Sequence, residues 1–152
     1  MSKRLMKVSG TSIDDLIREV EIVGSFAPDI IKQCMLAQVR VGERATRQNW
    51  SSMGYGKVGD LVYDSISCKS EFSSIDNRVV YGSYGVYTTD SIAAAHGKTD
   101  KDISAAQLGW WAEYGTRQLA PVPFLTNAHI RSLSEQESEF RDTFNQLIDG
   151  RL

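Results

Sequence analysis

Residues 107–128 read QLGWWAEYGTRQLAPVPFLTNA and set the boundary between the middle of the chain and its last helix. Two adjacent tryptophans, one carboxylate, a Tyr-Gly-Thr turn and two prolines stand before an apolar Phe-Leu pair. Proline fixes φ, lacks an N–H and restrains the residue before it, so residues 117–123 form a rigid connector, neither ladder nor helix. Pro123 suits the start of a helix. Beyond it Phe124, Leu125, Ala128, Leu133, Phe140, Phe144, Leu147 and Ile148 form an apolar stripe, with Glu135, Glu137, Glu139, Arg141 and Asp142 as its solvated flank and Gly150 at its end. Before the connector, Trp110 and Trp111 read as strand neighbours that point to opposite faces. One joins the core. The other turns outward, where an aromatic favours protein contacts, or lies under residues 90–106.

Toward the amino terminus, residues 1–10 are a basic lead with a short strand through Leu5, Met6 and Val8. Thr11 or Ser12 offers an N-cap, and Ile13, Leu16, Ile17, Val20 and Val23 recur at helical spacing until Gly24-Ser25 ends a first helix. Pro28 opens a second, which Ile30, Ile31, Cys34, Met35, Val39, Val41 and Ala45 carry toward Asn49, with Arg40, Glu43, Arg44 and Arg47 on its charged side. Residues 50–60 are a glycine-rich loop. Residues 61–72 and 78–89 read as paired antiparallel strands, with Ile66, Cys68 and Ser70 on one face and a bulge or bend at Gly82 and Gly85. Residues 90–106 read as an inserted loop with a short helical turn. The class is α+β: two N-terminal amphipathic helices, a small central antiparallel sheet and one C-terminal helix, in a single domain over residues 1–152.

Length, charge and composition narrow the function. A chain of 152 residues can bury a real core, and a net charge of -2 gives no electrostatic case for a nucleic-acid binder. No run approaches a membrane span, and the basic start has no apolar stretch behind it, unlike a secretory signal. Cys34 and Cys68 read as reduced thiols, so the expectation is a cytosolic protein.

Few residues suggest chemistry. Gly54-Tyr-Gly-Lys-Val-Gly59 matches G-x-G-x-x-G, but it follows a helix and enters a strand, the wrong setting for a dinucleotide. His96 and His129 have no metal-ligand partner at a suitable spacing, and no nucleophile elbow is present. Glu113 is the one acid of interest. Before a Tyr-Gly-Thr turn it can accept backbone N–H groups or pair with Arg117. The expectation is no enzyme, no metal and no cofactor.

Glu113-Tyr114-Gly115-Thr116, with Pro123-Phe124-Leu125 and Ala128, resembles the E-(F/Y)-G-T … PFL-x-x-A signature of the neck and tail-component proteins of long-tailed bacteriophages, the gene-product-ten-like family. Residues 58–66, VGDLVYDSI, are similar to that family's T-G-x-L-x-x-S-I box through Gly59, Leu61 and Ser65, with Val58 in the threonine position. A helix pair before the box and two strands after it keep the family's order. The resemblance implies a non-enzymatic virion protein of the head–tail junction, present in the host cytoplasm during assembly. Its partners would be itself in a ring of roughly six or twelve copies, head-closure or connector proteins, and tail terminator or tail tube proteins. DNA would pass through the lumen without specific binding. A tail assembly factor that leaves the particle is the alternative, and a small hydrolase a third. Trp111, Glu113, Tyr114, Thr116 and Phe124 would fix the characteristic corner, with Gly115 and Pro123 shaping it. Trp110, Tyr55, Lys57, His96 and Lys98, in the 40–60 loop, the 90–106 insertion and the tryptophan pair, would meet neighbouring rings.

Overall fold

Helical spacing of apolar residues runs on from Ile13 with one proline in its path, and the computed structural model builds a single α-helix there, α1 (Ile13–Ser52). The structure describes residues 13–77, 79–98 and 102–150, so the expected strand near residue 6 and the cap at residues 11–12 lie outside it. The two expected N-terminal helices are thus one. Pro28 leaves only the Gly24 carbonyl without its partner four residues on, and Gly24 is exposed, so water can meet that carbonyl. At about 1.5 Å per residue, the 40 residues of α1 span about 60 Å.

The remaining elements follow as α2 (Gly56–Ser65), β1 (Ile66–Phe72), β2 (Val80–Val86), α3 (Asp90–Ala95), α4 (Ala105–Tyr114) and α5 (Phe124–Asp149). The class is α+β, with long helices at both ends and a two-stranded antiparallel sheet. Three local expectations change. Residues 40–60 are mostly helix, and the strand expected from residue 61 begins at Ile66. Leu61 and Val62 of α2 and Ile66, the first residue of β1, share a buried cluster with Trp50; two adjacent residues turned inward suit a helical face, whereas an alternating strand would send one of them out. The tryptophan pair sits in α4, where Ser104 caps the helix by accepting from the Gln107 N–H at 3.2 Å.

Within 90–106, Thr89 caps α3, the expected short helical turn, and α4 begins at Ala105. The hairpin carries no bulge, since its register runs without interruption from Ile66 opposite Val86 to Phe72 opposite Val80. Its glycines serve close approach instead. A Cβ on Gly82 would lie 2.4 Å from Met35 Cγ, and one on Gly42 would lie 2.3 Å from the Tyr84 ring.

The sheet lies on α1 through alternate residues of β1, as the period of two requires. Ile66 is buried, Ser70 Oγ donates to the Lys32 carbonyl at 2.9 Å, and the Lys32 ammonium sits 4.9 Å from the Phe72 ring centroid. Cys68 faces Glu43; burial first, then this carboxylate, push its thiol up to about 12. On another side α5 runs along α1. Ile30 and Cys34 meet Ile148, with Phe140, Phe144 and Leu147 packed around them. The buried stripe of α5 is Phe124, Ala128, Ser132, Gln136 and Ile148. Leu133, expected in that stripe, is exposed, because the strict spacing of four gives the inward positions to Ser132 and Gln136. Gln136 Nε2 is satisfied by Ser132 Oγ at 2.9 Å and Tyr84 Oη at 3.2 Å.

Candidate functional site

The corner between α4 and α5 gathers most of the residues that the sequence signature singles out. Gly115 ends α4 with φ 78°, in the region that favours glycine, and its N–H donates to the Trp111 carbonyl at 2.8 Å. A Cβ there would stand 2.8 Å from the Leu119 carbonyl oxygen and 2.9 Å from the Pro121 nitrogen. Thr116 then closes the turn twice over. Its N–H donates to the Leu119 carbonyl at 2.9 Å, and its Oγ1 accepts from the N–H groups of Gln118 and Leu119 at 3.2 and 3.1 Å. The connector is stitched back to α4 by the Val122 N–H, which donates to the Ala112 carbonyl at 2.7 Å.

Glu113 does the remaining work. Helix α5 begins after Pro123, whose side chain cannot cap it, so its first N–H groups need another acceptor. The Glu113 carboxylate supplies one from the end of α4. Oε2 accepts from the Leu125 N–H at 2.9 Å, and Oε1 accepts from the Thr126 N–H at 3.0 Å and from the Thr126 hydroxyl. A buried anion at a helix N-terminus, with its lone pairs engaged, is favourable on both hydrogen-bond and dipole grounds. Of the two partners open to Glu113 from sequence, the backbone amides are the ones it takes. Arg117 is exposed.

The corner is anchored to the rest by Phe124, buried with its ring edge-on to Trp50 at 4.8 Å. Trp50 also donates from Nε1 to the Gly59 carbonyl at 2.9 Å, and Asn49 Nδ2 donates to the Phe124 carbonyl at 3.0 Å. Gly59, Leu61 and Ser65, the box residues, lie along α2. Leu61 packs in the Trp50 cluster, and the Ser65 carbonyl accepts from the Tyr87 N–H at 2.7 Å. Trp111 is half-buried and lines a small apolar cavity of about 130 Å³ with Trp50, Val62 and Leu108. Trp50 thus joins box and corner, a role that the sequence reading missed. The available signal was a tryptophan on the last turn of an amphipathic helix.

Tyr114 does not enter the corner. On helical α4 it lies one turn from Trp110, and the two rings meet at 4.4 Å, each residue 62% exposed. The opposite-face expectation for Trp110 and Trp111 gives way to helical geometry, in which Trp110 faces solvent beside Tyr114. Other candidate contact residues are dispersed. Tyr55 is exposed with its ring 5.0 Å from Trp50, His96 Nε2 meets Asp64 at 2.7 Å, and Lys98 is exposed after α3. Lys57 lies on α2, and its side chain is outside the described residues. Gly56 opens α2, so the glycine-rich run leads into a helix where a strand was expected. It still follows the end of α1, not a strand.

His129 pairs with Tyr84 at 2.5 Å. Tyr84 Oη also accepts from Gln136 Nε2 at 3.2 Å. Among the described residues no three His, Cys, Asp or Glu side chains come together as a metal site would need, and no helix is long and apolar enough to cross a membrane. No family model matches the chain, and no curated protein or solved structure matches it either.

Proposed function

We propose that this chain is a non-enzymatic structural protein of a bacteriophage virion, acting at the head–tail junction as a ring between the head-closure or portal side and the tail. The observation that supports this reading most directly is the engagement of the signature residues. Glu113, Gly115, Thr116 and Phe124 all spend their polar or steric character on one α4–α5 corner, which supports reading the signature as a shape and not as a reactive site. The Glu113 carboxylate, the acid best placed to suggest catalysis, is occupied by backbone amides. A protein whose distinctive residues build a rigid corner suits work done through its surfaces, and the Trp110–Tyr114 pair offers one such surface. A ring would form if its subunits met through heterologous contacts that close by rotation.

The test is the copy number of the chain in purified virions, measured by quantitative mass spectrometry against the portal protein. Roughly six or twelve copies per particle are expected for a closed ring. Absence from finished particles would replace the ring with an assembly factor that departs before maturation. In the same phage, Phe124→Ala should leave heads and tails unjoined; joined particles carrying that variant would count against the corner.

A further inference from the structure

A groove of about 850 Å³ runs along the outer face of α1, between Tyr63 of α2 and Glu139 of α5. Its floor extends from Ala37 to Ser51, about 21 Å along the helix axis. Arg47 is committed: it pairs with Glu43 at 2.7 Å and donates to the Ile66 carbonyl. Arg40 and Arg44 are exposed, and among the described residues neither forms a salt bridge. Glu139 stands on the α5 rim, so the groove presents two uncommitted cations and one rim carboxylate.

At its other end, among the described residues, α1 begins before the points where α5 and β1 end against it. Ile148 packs on Ile30 and Cys34, and α5 ends one residue later at Asp149. Phe72, the last residue of β1, lies at Lys32. Residues 13–26 continue the helix away from these contacts, and the space a Cβ would take at Gly24 is open. The sequence of this arm holds Asp14, Asp15, Glu19 and Glu21 against Arg18 alone, with apolar residues at helical spacing. It is about 20 Å long.

We infer that the groove receives the arm of a second copy of this chain, residues 13–26 of one subunit lying along Arg40 and Arg44 of the next. Length and charge both match, and Tyr63, Ala37 and the arginine stems give the groove an apolar lining beside its two cations. Arm and groove are different patches, so the contact is heterologous and propagates around a ring. The inference deepens the ring reading and names its subunit contact.

The experiment is sedimentation velocity on the full chain at low and high salt, with circular dichroism to verify folding. The wild type should self-associate, more weakly as salt rises. Arg40→Glu with Arg44→Glu should weaken association about a hundredfold, and adding Asp15→Lys with Glu19→Lys, an acidic pair at the same spacing of four, should restore it. An oligomer indifferent to these reversals overturns the arm contact while leaving the ring reading supported. A wild type that remains monomeric also overturns it, and the ring reading then stands or falls on the particle count. A monomer whose groove arginines instead retain duplex DNA at low salt assigns the groove to a phosphate backbone and overturns the arm.

Discussion

The α4–α5 corner and the α1–α5 seam are held in different ways. The corner depends on particular atoms: one carboxylate on two amides and a hydroxyl, one hydroxyl closing a turn, one glycine at positive φ. The seam depends on repetition, with residues of α5 spaced by four along α1, some of them polar, such as Ser132 and Gln136. A site of the first kind tolerates little chemical change. A site of the second kind tolerates substitutions that keep volume, because packing is shared among many contacts.

Four outcomes test the packing around α1 and that contrast, in order of size. The largest concerns how dry the face of α1 under the sheet is. With its thiol pushed up to about 12 by burial and by Glu43, Cys68 is protonated throughout the neutral range in the folded chain. Its alkylation at pH 8.5 should be about a thousandfold slower folded than in urea, since the thiolate is the reactive form. Equal rates would mean the sheet lifts off α1. Next comes Phe124→Ala, which should cost about 3–5 kcal/mol in chemical denaturation, the heaviest loss available at the corner. Glu113→Ala should follow at about 2–3 kcal/mol, because it strands buried amides at the start of α5. Gln136→Met, in the seam, should stay within about 1 kcal/mol, since it removes donor bonds while keeping bulk and leaving the Tyr84–His129 bond in place. If Gln136→Met costs more than Glu113→Ala, the contrast between the two regions is wrong.

How much of this was legible from the residues varies along the chain for physical reasons. The ends of α5 were readable because Pro123 and Gly150 act locally, through φ and a missing side chain. The corner was readable in outline, since a carboxylate, a glycine and a threonine in that order have few ways to be satisfied. Residues 56–65 were not. Gly59 and Val58 disfavour helix by propensity, and only the Trp50 cluster, formed with Leu61, Val62 and Ile66, selects it. The tryptophan pair misled likewise, because aromatic residues suit strands while the Ser104 cap and Ala105 start a helix. Gly24 and Pro28 argued locally for a break in α1, and a single unmet carbonyl facing water was not enough to impose one. In the groove, the pairing of Arg47 with the Ile66 carbonyl depends on a strand 19 residues away, which no local pattern announces.

The great separation of the seam's partners in sequence has a consequence for biosynthesis. Asn49 bonds to a residue 75 positions later, and Arg131 reaches back 86 positions to the Ala45 carbonyl. Helix α1 leaves the ribosome well before α5, its cover. At about 5–20 residues per second, the side of this 40-residue helix that α5 covers therefore waits several seconds after the hairpin has emerged. Nascent chains stalled before residue 124 should be the species most prone to capture by chaperones or to aggregation, and release of α5 should end that exposure in one step.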